Sequence, residues 1–233
     1  KRRNDRCRAL RAARACLLLG LVLLLGTESL SSEVNRADRF AVPEGLEVTL
    51  WASSPMFRNP TNIDIDARGR VWVAEAVNYR AKLSGDEKTL RRAAGDRIVV
   101  LEDTNGDGRA NASHVFVQDE DLVAPLGISV LDNRVIVSSS PAVIIYTDVD
   151  RNGRFDPEVD KKETLLRGFG GKDDDHGLHA LFAGPDGYWH LNAGNSGPHV
   201  VQDKAGWTLR AEIPHGNPTG GKTQTNRLRQ ADD

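Results

Sequence analysis

Cysteine is nearly missing from this chain: of 233 residues, Cys7 and Cys16 alone carry a thiol, and both lie in the first sixteen positions. Nothing after them can build a disulfide framework, a thiol nucleophile or a cysteine metal cluster. Excess charge of one sign is missing as well. A formal net charge of -2 excludes the bulk basic field that a nucleic-acid partner needs. Long apolar runs are absent too: residues 15–26 (ACLLLGLVLLLG) offer about 12 apolar positions, where roughly 20 are needed to span a bilayer. What remains, 39% hydrophobic and 27% charged residues, is the composition of a soluble globular protein.

Six arginines, Arg2, Arg3, Arg6, Arg8, Arg11 and Arg14, precede that short apolar run. A basic segment ahead of an apolar stretch too short to span reads as a secretory signal, with cleavage falling within residues 27–35. Cys16 stands before the run rather than after it, which argues against lipoprotein processing. Residues 1–35 are therefore expected to be signal peptide and spacer, and the mature protein to be exported: periplasmic, cell-surface or secreted. Membrane association would come only through an uncleaved amino-terminal segment.

The rest is written in period 2. Residues 40–52 (FAVPEGLEVTLWA) read as an entry strand with Val48, Leu50 and Ala52 on one face. Residues 63–75 read as strand, tight turn at Gly69, strand. Residues 97–102 (RIVVLE) and 114–118 (HVFVQ) flank an aspartate-rich loop. The theme returns at 127–138 around Asn133, with a second aspartate-rich loop between strands at 143–147 and 164–167. It returns again at 178–191 around Gly184-Pro185-Asp186-Gly187, followed by strand-like residues 200–209. Proline presets φ and glycine supplies φ > 0, so this last stretch is a hairpin with a mechanism. The turn residues Gly69, Asn133 and Gly187 recur at intervals of about 55 to 65 residues. A repeated unit of some four short antiparallel strands is the signature of a β-propeller blade. The expected fold is all-β: an incomplete propeller over residues 40–210, about three of six four-stranded blades, behind an amino-terminal signal helix. Residues 211–233 have few apolar positions and no alternation, and are expected to be a disordered or aberrant tail.

Two loops have calcium-like spacing. Asp103, Asn105, Asp107 and Asn111 stand at positions 1, 3, 5 and 9 with Gly106 at 6, and Asp148, Asp150, Asn152 and Asp156 repeat that spacing around Gly153. Hard cations want oxygens at this density, and glycine allows the sharp turn. Position 12 lacks its bidentate glutamate, being His114 in one loop and Val159 in the other, although Glu158 and Asp160 lie close by. The alternative is a pair of Asx-turns closing hairpins between outer strands.

The densest chemistry lies at residues 172–197, where Asp173, Asp174 and Asp175 run into His176, Gly177 and His179. Imidazole titrates near neutrality and Asp175 can orient it, which makes His176 a candidate general base at the propeller mouth. Asn192, Asn195 and Ser196 would offer uncharged contacts to a ligand. Glu75 and Asn78 leave the first hairpin at the corresponding edge. The alternative is structural: a hydrogen-bonded histidine, a solvated acidic loop, and rim decoration. Trp72 and Trp189 follow two of the turns at nearly equal offsets and read as core.

Residues 43–45 (PEG), 72–80 (WVAEAVNYR), 95–98 (GDRI), 126–128 (LGI), 175–180 (DHGLHA) and 194–201 (GNSGPHVV) together resemble the amino-terminal propeller of the planctomycete-type membrane-bound dehydrogenase family. That family is similar to the soluble quinoprotein glucose and sorbosone dehydrogenases, and many members continue into helical repeats and a haem c segment with CxxCH. The resemblance implies oxidation of a sugar or alcohol, pyrroloquinoline quinone (PQQ) as cofactor, and haem c as acceptor in a part outside this chain. It also implies His176 and Asp175 as catalytic residues, and His179, Asn192, Asn195, Ser196, Glu75 and Asn78 as cofactor contacts. His176 stands eight residues before Gly184, the spacing of catalytic histidine to Gly-Pro-Asp turn in the soluble quinoprotein dehydrogenases. The glycine and arginine that follow it there at the third and fourth positions are His179 and Ala180 here. Two other readings stay open. One is a non-catalytic, calcium-stiffened propeller that binds glycans or proteins. The other is a lactonase-like hydrolase with an axial metal held by groups such as Glu75, Asn133 and Asn195.

Overall fold

The structure, a computed structural model, describes residues 39–80, 90–170, 176–194 and 199–211. The chain divides into two units, residues 1–49 and 50–233. In the first, the described residues turn at Glu44 and Gly45, where the Leu46 N–H donates to Pro43 O. The expected signal helix and the 212–233 tail lie outside the described residues.

In the second unit β1 (Pro60–Ile65), β2 (Val71–Glu75), β3 (Arg97–Glu102) and β4 (Ala112–Gln118) form one antiparallel meander. The strands β5 (Gly127–Leu131), β6 (Arg134–Ser139), β7 (Ala142–Thr147) and β8 (Lys161–Arg167) form a second. Two hairpins follow, β9 (Leu178–Ala183) with β10 (Trp189–Ala193), and β11 (His199–Asp203) with β12 (Thr208–Ala211). Alternation explains why these residues are strands and where they pack. Along β6, Val135 and Val137 face the first meander, while Ile136 faces the hairpins. Along β2 and β3, Trp72, Ala74, Ile98 and Val100 enter the same inter-sheet core, and Val73, Val99 and Leu101 point the other way. Sheets buried on both faces are the packing of stacked blades.

The first strands settle the arrangement. Thr61 Oγ1 donates to Pro125 O, and further along both strands the Val130 N–H donates to Asp64 Oδ2 at 2.6 Å. β1 and β5 therefore lie side by side and parallel. Gly127 sits against His179 O and Leu181 N, which places β9 next. The three strands line one cleft of about 360 Å³, between Asn62, Asp64, Ile128, Val130, Ala180 and Phe182. Within residues 50–233 this is a propeller arc, with β1, β5 and β9 as the inner strands of successive repeats.

Two expectations need amendment. Residues 40–52, expected as an entry strand, form no strand. Trp51, Ala52, Met56 and Phe57 instead lie as irregular chain over Val73, Val99 and Leu101, tied by the Ala110 N–H to Trp51 O. Apolar alternation there reflects a face to cover, with no neighbouring strand to complete a ladder. The third repeat, β9 to β12, also departs from the first two: β11 pairs with the end of β8, Gln202 opposite Arg167, rather than with β10. Gly168 makes that approach feasible. At φ 92 its backbone abuts Val200 O so closely that a side chain would overlap it.

Candidate functional site

Strand alternation sorts the loops into two rims. The turns at 66–70, 132–133 and 184–187 and both aspartate loops fall at one rim; among the described residues, 76–80, 90–96, 119–126, 168–170, 176–177, 193–194 and 199 fall at the other. His176, Glu75, Asn78 and Asn192 thus share a rim, and the metal candidates stand at the opposite one. Glu75 and Asn133, two of the groups named for a lactonase-like metal, are separated by the length of a strand.

His176 is exposed and immediately precedes β9. Its main chain lies beneath Gly194 at the exit of β10: a Cβ on Gly194 would stand 2.5 Å from His176 O and 2.8 Å from its Cα. The Gly194 N–H donates to Gly177 O at 2.7 Å. These contacts bring His176 and the exposed Asn192 to the same end of one hairpin. The second meander pins that end as well. Ser140 Oγ accepts from the Leu178 N–H at 2.9 Å, and Ser138 Oγ donates to the half-buried His179's carbonyl. Asp175, Asn195 and Ser196 lie outside the described residues.

Glu75 and Asn78 are fully buried, and their polar atoms are engaged within the chain. Glu75 accepts from Arg92 at 2.8 Å, from Arg97 at 2.8 and 3.0 Å, and from the Arg58 N–H at 2.8 Å. Burial works to raise its carboxyl, but the guanidiniums of Arg97 and Arg92 outweigh that and hold it below the usual carboxylate range. Asn78 exchanges both amide hydrogen bonds with the Arg92 main chain, at 2.8 and 2.9 Å. Asp96, also buried, accepts from the Asn78 and Ala124 N–H groups, and there burial prevails and lifts the carboxyl. This cluster knits the rim of the first meander to the segment entering β5.

The two aspartate loops differ. In the first, exposed, Asp103 is occupied by the N–H groups of Gly106, Asp107 and Gly108. Asn105 donates to Asp107, and Asn111 caps Thr104. That is Asx-turn geometry. In the second, carboxylate oxygens of Asp148, Asp150 and Asp160 lie within 4.8 Å of one another, Asp148 and Asp160 being buried. Burial first, then Asp150 and the charge of Asp160, raises the Asp148 carboxyl. A hard divalent cation suits that donor set. Asn152 donates its side-chain N–H to Asp150, and Asp156 caps Glu158. The loop also ties the meanders together, through His114 Nε2 to Gly153 O at 2.9 Å and the Phe155 N–H to Phe116 O at 2.8 Å.

A cavity of about 860 Å³ lies between β4 and residues 154–162, and none of its lining residues belongs to the β9–β10 hairpin. Within it Asp119 is already paired with Tyr146 and Lys162.

A family described as domain of unknown function (DUF7133) matches residues 32–230. The chain belongs to the DUF7133 family. Among solved structures, this DUF7133 chain is similar to the calcium structure of a Trichoderma reesei enzyme of Carbohydrate-Active Enzymes Family AA12. That match has 19% identity and a TM-score of 0.43, over 70% of this chain and 33% of the other. It is similar to the holo PQQ domain of pyranose dehydrogenase from Coprinopsis cinerea, at 18% identity and TM-score 0.40, over 64% and 34%. A gluconolactonase from Xanthomonas campestris matches at 16% identity and TM-score 0.42, over 75% and 54%. The DUF7133 chain thus spans a third to about half of the length of these structures. No curated protein matches it.

Two residues of this DUF7133 chain gain roles that pattern reading did not assign. Asp160 completes the acidic triad from one place beyond position 12, where a strict twelve-residue count stops. His199 is buried and uses both ring nitrogens on main-chain groups. Its neighbourhood in sequence carries no ligand spacing that would have marked it.

Proposed function

We propose that this chain is part of the propeller of an exported enzyme that oxidises a sugar or alcohol, with His176 taking the proton of the substrate hydroxyl. The planctomycete-type membrane-bound dehydrogenases are the relatives it is read against, and haem c, in a part outside this chain, is the final acceptor. The observation that supports the reading is the placement of His176. An exposed imidazole precedes an innermost strand, its main chain held against Gly194 and beside exposed Asn192. Asp175 is assigned the orienting role, and His179, Asn195 and Ser196 the neighbouring contacts.

PQQ fits the described residues poorly. Three carboxylates call for cationic partners, yet Arg92 and Arg97 at this rim are neutralised by Glu75 and Asp96, and Ala180 stands where the quinoproteins carry arginine. The proton transfer is therefore the step assigned to this chain. General-base catalysis contributes about 10²- to 10⁴-fold. Dye-linked oxidation of aldoses by the full-length protein, with the dye as electron acceptor and measured with and without added quinone, should fall by that order in His176→Ala. Equal activity in the two proteins removes His176 from the mechanism.

The acidic triad favours a second element, a structural calcium ion held by Asp148, Asp150 and Asp160 that stiffens the loop joining the meanders. Calcium stiffening is shared with the non-catalytic reading, in which the same rim binds glycans or proteins; the oxidation assay separates the two. A lactonase-like reading would need metal ligands other than Glu75, which is engaged by arginines, and Asn133, which lies at the other rim; Asn195 lies outside the described residues.

A further inference from the structure

We propose that His199 is the positioning residue of the His176 rim, one buried imidazole that sets the spacing between the chain leaving β8 and the chain leaving β10. Only 4% of the residue is exposed. Its Nδ1 accepts from the Gly170 N–H at 2.9 Å, and its Nε2 meets Gly194 O at 3.1 Å. An amide N–H only donates and a carbonyl only accepts, so Nδ1 is bare and Nε2 carries the proton. The tautomer is set by two main-chain partners 24 residues apart in sequence. Phe169 meets the imidazole edge-on at 6.2 Å and packs with Leu178, Leu181 and Val201, closing the ring off from water.

The clamp reaches His176 through Gly194. The imidazole holds Gly194 by its carbonyl; the Gly194 N–H holds Gly177 O at 2.7 Å; and the missing Cβ of Gly194 lets the His176 main chain lie against it. On the other side the Val200 N–H donates to Gly168 O, so the Gly170 arm is carried by the same β8 to β11 junction. A rigid five-membered ring spans both arms with little rotamer freedom. A reacting group displaced by about 1 Å loses on the order of 10²-fold in rate, so the clamp bears on kcat without touching substrate. The catalytic half of this inference rests on the role proposed for His176; the clamp itself does not.

The test uses the full-length protein and three substitutions. His199→Asn keeps an acceptor for Gly170 and drops the Gly194 arm, His199→Gln keeps a donor for Gly194 and drops the Gly170 arm, and His199→Leu drops both. Nitrogen-15 spectra of the wild-type imidazole should show Nε2 protonated and Nδ1 bare. Amide exchange should quicken roughly tenfold at Gly170 in Gln and Leu, and at Gly194 in Asn and Leu, with the strand interiors of β6 and β7 unchanged. Sugar oxidation should lose kcat by roughly ten- to a hundredfold in Leu, with KM little moved and partial recovery in Gln. The opposite tautomer, or unchanged exchange at both glycines in Leu, overturns the clamp. Should Leu fail to fold, the wild-type spectrum and the Asn and Gln exchange patterns decide alone. Altered exchange in a wild-type protein that oxidises nothing keeps the clamp and removes the dehydrogenase reading. Altered exchange with unchanged kcat in an active protein overturns the positioning role.

Discussion

Removing Arg97 should destabilise the first meander strongly at neutral pH and hardly at all in acid. Glu75 is 0% exposed and accepts four hydrogen bonds, two of them from Arg97. In Arg97→Ala the carboxylate keeps Arg92 and the Arg58 N–H but loses the bidentate partner. Breaking a buried pair costs about 3–5 kcal/mol; with the Arg97 side chain 26% exposed and Arg92 still in place, about 2–3 kcal/mol is expected. For a unit of this size each kcal/mol moves Tm by roughly 2–4 °C, so Tm should drop by about 5–10 °C. The pH dependence has a definite sign. The Glu75 carboxyl is depressed in the folded protein below its ordinary 4.5, so its stabilisation is present above that value and is lost as pH falls through the folded value. Protonated Glu75 needs no guanidinium, and the penalty in Arg97→Ala should shrink below pH 4.5 for the same reason. Urea unfolding followed by tryptophan fluorescence, at neutral pH and in acid, measures both. A penalty under about 0.5 kcal/mol at neutral pH, or one equally large in acid, would refute the view that this ion cluster holds the rim.

Calcium at a hundredfold excess over Kd should stabilise the wild-type protein by about 2.7 kcal/mol. Asp160→Asn should abolish that gain and Asp103→Asn leave it intact; calorimetry showing no heat in the wild type would return the Asp148 loop to a plain turn. Tyr146→Phe deletes the 2.9 Å hydrogen bond from a buried phenol to Asp119, while Lys162 still holds that carboxylate. It should cost about 1–2 kcal/mol in thermal unfolding, and a neutral result would mean that the hydroxyl is hydrated rather than sealed. Burial and the Asp119 charge push this phenol far above its ordinary range, so no alkaline transition of Tyr146 should precede unfolding in an absorbance titration. Gly194→Ala would force its new methyl onto the His176 carbonyl, and should lower kcat more than it lowers Tm. Equal activity would show that the two chains are free to separate.

Much of the strand framework was legible because it is local. Residues 97–102 and 127–138 read as strands and are β3 and the β5–β6 hairpin, and the 143–147 run is β7 but for one residue. Trp72 is buried in the inter-sheet core, and Trp189 packs against its neighbour. Alternation misled at residues 46–52, since an apolar period of two marks a face to be covered as readily as a ladder to be joined.

The amino-acid sequence by itself determined which segments extend, where they turn, and that polar residues gather at strand ends. Each of these follows from φ/ψ preferences and a two-residue repeat. Tertiary structure alone decided that the aspartate loops and His176 stand at opposite rims, and that Asp160 rather than Asp156 joins Asp148. It also decided that β11 leans on β8, that Glu75 is consumed by Arg92 and Arg97, and that His199 bridges Gly170 and Gly194. Apart from the five-residue step from His199 to Gly194, those partners lie from 12 to 37 positions apart along the chain. Local preference carries no information at that separation; only burial of sheet against sheet brings such groups within hydrogen-bonding distance.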